Sequence, residues 1–219
     1  MTKPKEISLN EYKELKEGPD KIKASSWNEA PVPGKTKLLI VGTITPPKTE
    51  YFYCSYPNRI YGYIDEAIQE LIKEKPKEFQ NFEDESKKPL LLKELKEGMS
   101  EYACEKRHIY KQLAPDREIV EKRAKIKRYL NNYCIAFLDV MDKAIRKKAS
   151  SDDKFITQYV SAKNKFKSLP KDVTIIANSK LAEALFNDLK TGKTAVVLSQ
   201  RCATKKEWKG AIKSALESS

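Results

Sequence analysis

A short, unbroken run of apolar, β-favouring residues occurs four times in this chain. The runs are Leu38-Leu39-Ile40-Val41, YCIAFLDV over Tyr133 to Val140, VTIIA within Asp172 to Asn178, and AVVLS within Thr194 to Ser199. A run without polar alternation is a strand buried on both faces, as in a parallel sheet covered by helices. Helical spacing falls between the runs: Ile64, Ala67, Ile68, Leu71 and Ile72 across Tyr61 to Glu74, and Leu181, Leu185, Phe186 and Leu189 across Lys180 to Leu189. Phe155, Ile156, Tyr159 and Val160 give another helical stripe, and Lys205 to Leu216 a closing helix. The alternation predicts an α/β fold, a three-layer αβα sandwich around a central, mostly parallel four-stranded sheet.

The remaining segments set the organisation. Residues 1–36 are polar and mixed in charge, and read as an N-terminal arm packed on the domain, docked by Trp27. Ser8-Leu-Asn-Glu11 has the pattern of a capping box and predicts a short helix over Glu11 to Lys16. Residues 37–219 read as a single domain with a helical insertion at about 75–130. Within the insertion, Arg117 to Leu130 carries an apolar stripe of Ile119, Val120, Ala124, Ile126, Tyr129 and Leu130 beside Lys122, Arg123, Lys125, Lys127 and Arg128. That basic face either tracks phosphates or is simply solvated. Lys143 to Lys148 reads as a basic turn.

Charge narrows the partners. The formal net charge is +12 with 34% charged residues, which favours an anionic partner, nucleic acid before a membrane surface. No apolar run reaches the roughly 18 residues of a membrane span, and the N-terminus lacks the apolar centre of a signal peptide. The protein is expected to be cytoplasmic and monomeric. Cys54, Cys104, Cys134 and Cys202 are far apart, with no CxxC pair and a single histidine, His108, so no metal site and no cofactor are expected. Cys134 reads as a buried strand residue.

The chemistry gathers at the strand ends. Thr43 and Thr45 follow the first strand, Asp139 ends the second, Asn178 the third, and Ser199, Gln200 and Arg201 the fourth. In a parallel sheet these ends share one edge, where α/β proteins bind ligands. The loop after the first strand carries Tyr51, Phe52, Tyr53, Tyr56 and Tyr61 around Asn58 and Arg59, a composition suited to a flat ligand or to packing under a long loop.

In this order the pieces resemble the uracil-DNA glycosylase superfamily, and within it the branch of hypoxanthine-type and mismatch-type DNA glycosylases. The resemblance rests on Gly42 to Pro46, Tyr51-Phe52-Tyr53 and Asn58-Arg59-Ile60-Tyr61. It continues in Leu138-Asp139-Val140 with Arg146 and Ser150-Ser151-Asp152, and in Asn178 with Leu185-Phe186. Two positions depart from the family pattern. Ile44 stands where many members carry a water-holding Asp or Asn, and the last motif reads Leu198-Ser199-Gln200-Arg201-Cys202-Ala203, without a histidine.

The resemblance implies a monofunctional DNA glycosylase that flips a base from DNA and hydrolyses its N-glycosidic bond, leaving an abasic site. The base would be damaged or modified, including an unusual base such as a viral modified cytosine, in DNA repair or antiviral defence. The alternative is a non-catalytic DNA-binding protein that keeps the fold. Asn58 would hold the attacking water, with Asp139 as the rival water activator or as a mere cap of the next turn. Thr43, Tyr51, Phe52, Tyr53 and Asn178 would bind the base. Arg59, Ser199, Gln200, Arg201 and Lys205 would contact DNA, and Arg146 would be structural.

Overall fold

A computed structural model describes residues 3–15, 22–25, 35–44, 60–77, 128–147, 152–198 and 203–217. In chain order the elements are β1 (Lys5–Glu6), α1 (Leu9–Glu14), β2 (Ile22–Ser25), β3 (Leu38–Gly42), α2 (Ile60–Glu74), β4 (Ile135–Asp139), β5 (Met141–Arg146), β6 (Ile156–Ser161), β7 (Thr174–Ala177), α3 (Lys180–Asp188), β8 (Val196–Val197) and α4 (Lys205–Glu217). A helical stretch over 128–132 precedes β4. Two compact units emerge, one spanning Met1–Tyr53 and Ala136–Ser199, the other Cys54–Ile135 and Gln200–Ser219.

The first unit is built on a four-stranded, all-parallel sheet in the order β4-β3-β7-β8. All five residues of β3 are buried, as are all five of β4, so these two apolar runs mark strands covered on both faces; the fourth run instead forms the short edge strand β8, whose Val196 is 55% exposed. β3 pairs with β7 from Leu38↔Thr174 to Val41↔Ala177, and β7 pairs with β8. Completely buried Leu38, Leu39, Ile40 and Val41 each contribute about 1.5–3 kcal/mol of hydrophobic stabilisation. Helix α3 starts on the Ser179 N-cap, whose hydroxyl accepts from the Ala182 amide at 3.1 Å, and puts Leu185 and Phe186 into the same core.

A second four-stranded sheet, in the order β1-β6-β5-β2, adjoins the first within this unit. β1 runs parallel to β6, while β5 is antiparallel to both β6 and β2. The chain passes from one sheet to the other across Val140 alone. The Val140 amide donates to the Gly42 carbonyl at 2.9 Å, and the Val140 carbonyl accepts from the Ala162 amide at 2.9 Å. Two sequence expectations are corrected here. The basic turn over Lys143 to Lys148 is mostly strand β5, and the helical stripe of Phe155, Ile156, Tyr159 and Val160 belongs largely to strand β6.

The physical cause is irregular pairing. The β5–β6 register shifts between Met141 and Lys143 and again between Ile145 and Arg146, which breaks the two-residue alternation of a regular strand. Burial of Ile156 and Tyr159, three apart, then imitates a helix. Residues 1–36, expected as an arm, contribute the strands β1 and β2, and Trp27 lies outside the described residues. The capping box closes as expected: the Ser8 amide donates to Glu11 Oε2 at 2.7 Å and the Glu11 amide to Ser8 Oγ at 3.2 Å. The helix it starts is Leu9–Glu14, and Tyr12 packs with Ile7 and Ile145.

In the second unit, α2 and α4 lie side by side. Lys205 pairs with Glu66 at 2.5 Å, Lys209 with Glu70, Lys213 with Glu74 at 2.7 Å, and Lys75 with Glu217 at 3.2 Å. The rungs advance together along both helices, so the helices run parallel. Thr204 and Glu207 form a second capping box at the start of α4. Tyr129, from the helical stretch 128–132, donates to buried Asp65 of α2 at 2.7 Å and stacks at a tilt on Tyr133, 5.0 Å away. Cys134, expected as a buried strand residue, instead sits half-exposed in the turn before β4 with φ 57°. The other cysteines lie outside the described residues, as does most of the expected insertion at 75–130. Among the described residues no helix is long and apolar enough to cross a membrane.

Two phenols tie stability to alkaline pH. Burial, with nearby Asp65, pushes the Tyr133 phenol up from 10.0 to about 12. Burial, with Glu6 at 3.3 Å, does the same for Tyr159. Both pKa values are higher in the folded than in the unfolded chain. Their stabilisation is therefore complete below about pH 10 and is lost as the pH rises through about 12. The urea midpoint should fall across that window, and the fall should be shallower in Tyr159→Phe. An equally steep fall in that variant would show that Tyr159 does not carry it.

Candidate active site

Because β4, β3 and β7 are parallel neighbours, their carboxyl ends lie on one edge of the sheet. Asp139 closes β4, Thr43 follows β3 and Asn178 follows β7, so three of the residues expected from the sequence meet at this edge. All are enclosed: Asp139 is fully buried, Thr43 is 2% exposed and Asn178 7%. Backbone bonds fix the turns. The Met141 amide donates to the Thr43 carbonyl at 3.1 Å and the Asn178 amide to the Val41 carbonyl at 3.0 Å.

A fourth acidic or polar side chain joins them that the sequence reading did not single out. Asp153, in the 3-10 turn Asp153–Phe155 between β5 and β6, accepts from Thr43 Oγ1 at 2.7 Å on one carboxylate oxygen. Its other oxygen accepts from Ser179 Oγ at 3.0 Å. An ionised carboxylate only accepts, so both hydroxyl protons are directed at Asp153. Toward any further partner, Thr43 Oγ1 can then only accept, whereas an asparagine amide such as that of Asn178 can donate and accept. The sequence held a trace of Asp153 in the Ser150-Ser151-Asp152 turn. The side chain that reaches the edge belongs to the next residue, and only the hydrogen bonds distinguish the two. Asp152 instead pairs with Lys154 at 3.3 Å, and its carbonyl accepts from fully buried Arg146 at 3.2 Å, a structural contact.

The other expected site residues divide in two. Tyr51, Phe52, Tyr53, Asn58, Arg59, Ser199, Gln200 and Arg201 lie outside the described residues. Lys205, in the second unit, has its ammonium 2.5 Å from Glu66 and forms the first rung of the α2–α4 ladder. The neighbouring carboxylates raise the pKa of Lys209 in the same ladder, with Glu70 first. Lys205 and Lys209 are thus both paired with glutamates of α2, while Lys206 is exposed. Among the described residues no group of three or more histidine, cysteine or acidic side chains is arranged to hold a metal ion.

Ile44 is 1% exposed and packs in the core of the first unit with Leu39, Val41 and Leu138. Ile44 therefore serves the core of this unit. Ile44→Asp should lower stability by about 3–5 kcal/mol in urea denaturation, because it buries a carboxylate among apolar side chains. A stability equal to the parent's would mean that the side chain can reach solvent or the site.

No family model matches the chain, and no curated protein matches it. Among solved structures, it is similar to the solution NMR structure of a Methanosarcina acetivorans protein named a "putative Uracil DNA glycosylase". The TM-score is 0.50 at 14% sequence identity, over 89% of this chain and 99% of that one. The likeness is one of fold, and it extends along nearly the whole of both chains.

Proposed function

We propose that this chain is a DNA glycosylase of the uracil-DNA glycosylase superfamily, close to its hypoxanthine-type and mismatch-type branch. It acts as a monomer in the cytoplasm without metal or cofactor, releasing a damaged or modified base. The observation that carries this reading is the convergence of Thr43, Asp139 and Asn178 on one edge of a parallel sheet, in a fold similar to that of the Methanosarcina protein. The sequence blocks quoted for the family occur in the same order around those residues.

A paired base must leave the stack before its sugar bond can be attacked. Tyr51, Phe52 and Tyr53 supply an aromatic wall, on which stacking contributes about 1–3 kcal/mol per base. Asn178 reads the base edge with a donor and an acceptor. Bond cleavage develops positive charge on the sugar and negative charge on the leaving base; water adds to the sugar carbon as the base departs, and the proton it loses ends on the base anion, so that sugar–OH and neutral base result. Asn58 orients that water by hydrogen bonding, since an amide cannot take up the proton as a carboxylate does. Most of the rate enhancement then comes from holding the flipped base and the sugar in the reactive geometry. Asp139, a carboxylate at the sheet edge, is the rival activator.

The test is a panel of duplexes carrying uracil, hypoxanthine, mismatches or modified cytosines, read as strand breaks after alkali. Release of one such base supports the reading. Binding with no release from any duplex points to the non-catalytic alternative. On the active substrate, Asn58→Ala should slow single-turnover release by about 10²-fold or more, with DNA affinity nearly unchanged. A larger loss in Asp139→Asn would transfer the role to Asp139. DNA affinity should fall steeply between about 50 and 200 mM salt, because phosphate contacts release counterions. Lys206→Glu should weaken binding to all sequences alike without disturbing the α2–α4 ladder, and a flat salt response would count against DNA as the partner.

A further inference from the structure

The geometry points to Asp153 as a positioning residue that ties the turn after β3 to the turn after β7 and so sets the spacing of the proposed base site. The consequence for catalysis rests on the glycosylase reading; the tie itself does not. Thr43 is 110 residues from Asp153 in sequence and Ser179 is 26 residues away, yet each donates to a different oxygen of the one carboxylate, at 2.7 and 3.0 Å. The carboxylate therefore adds a side-chain tie between two turns that the β3–β7 pairing and the Asn178–Val41 backbone bond already bring side by side. Ser179 extends the bridge, because the same oxygen that donates to Asp153 accepts the Ala182 amide at the start of α3.

The two bridged turns carry the residues that matter to the site. Thr43 precedes Tyr51, Phe52, Tyr53 and Asn58 in sequence, and Ile44 beside it is anchored in the core. Asn178 immediately precedes Ser179. Asp153 thus ties the residue that follows β3 to the residue that follows Asn178, the proposed base-reading amide. It sits on a different sheet's connection, between β5 and β6, so the second sheet serves to deliver it. Neutral packing would hold the turns near each other. Two hydrogen bonds to one ionised group also fix their orientation, and charged acceptors make the stronger bonds.

The test compares Asp153→Ala and Asp153→Asn with the parent in two measurements. In single-turnover base release, Asp153→Ala should be slower by on the order of 10–100-fold with DNA affinity little changed, as a small misplacement of the reacting groups predicts. Asp153→Asn keeps an acceptor for one hydroxyl and should recover part of the rate. In hydrogen exchange of the free protein, the Met141 and Asn178 amides, which bond to Thr43 and Val41, should exchange faster in Asp153→Ala, while Ile40 and Ile176 within the strands stay protected.

Parent-like exchange at Met141 and Asn178 would overturn the proposal. So would a uniform rise in exchange with a matching drop in melting temperature, the mark of a general fold staple. So would parent-like base release. If the parent releases no base from any duplex, the glycosylase reading fails on its own, and the exchange pattern still decides whether Asp153 ties the two turns.

Discussion

Everything in the first unit depends on β3 being hydrogen-bonded on both edges and buried on both faces. A strand in that position has no solvent-facing side, so its residues must all be apolar, and its neighbours must supply every backbone partner. β7 does so on one side in a regular parallel register, and β4 lies on the other. Parallel pairing has a directional consequence that antiparallel pairing lacks. The strands end together, so the residues that follow them, Thr43, Asp139 and Asn178, are brought to one edge although 135 positions separate the first from the last by number. The site is thus a product of the core: the pairing that buries Leu39 and Ile176 also assembles the polar edge.

The second sheet supplies a side chain to that edge. β4 and β5 are one continuous piece of chain that changes sheets at Val140, a residue bonded through its amide to Gly42 and through its carbonyl to Ala162. From there β5 and β6 form an irregular antiparallel pair, and the connection between them returns to the edge carrying Asp153. A loop whose two ends are held in a sheet can place a side chain more reliably than one free at its tip. The carboxylate there finds hydroxyls from both β3 and β7 turns. In this way a mixed sheet contributes a side chain to the carboxyl-end edge of the parallel sheet.

Electrostatics in the second unit follow a different logic. Glu66, Glu70 and Glu74 recur every four residues on α2, and Lys205, Lys209 and Lys213 recur likewise on α4, so each set forms one stripe along its helix. Facing one another, the stripes neutralise charge locally. The chain's +12 excess is therefore not spread evenly over its lysines: a lysine matched to a glutamate gives up less to an incoming phosphate than a solvated one does. Exposed pairs of this kind add little stability one at a time, and their clearer effect is to fix which helix faces which.

The sequence by itself determined the elements whose local pattern and tertiary environment agree. β3, β4, β7, α2, α3 and α4 were legible because uniform burial leaves an unbroken apolar run and one-sided burial leaves a three-and-four spacing. The capping box at Ser8 was legible because its bonds span three residues. Thr43, Asp139 and Asn178 were legible as an edge because parallel order alone aligns strand ends. Tertiary structure decided the rest. β5 and β6 were hidden because shifted register erases the two-residue period, leaving Lys143 to resemble a turn and Ile156 with Tyr159 to resemble a helix. The partner of Lys205 was hidden because Glu66 lies on a distant helix, and an isolated lysine reads the same whether it faces a carboxylate or water. Asp153 was hidden because its role lies in bonds to Thr43 and Ser179, one of them 110 residues away. A local pattern records which face of an element is buried; it carries no record of which distant side chain completes a hydrogen bond.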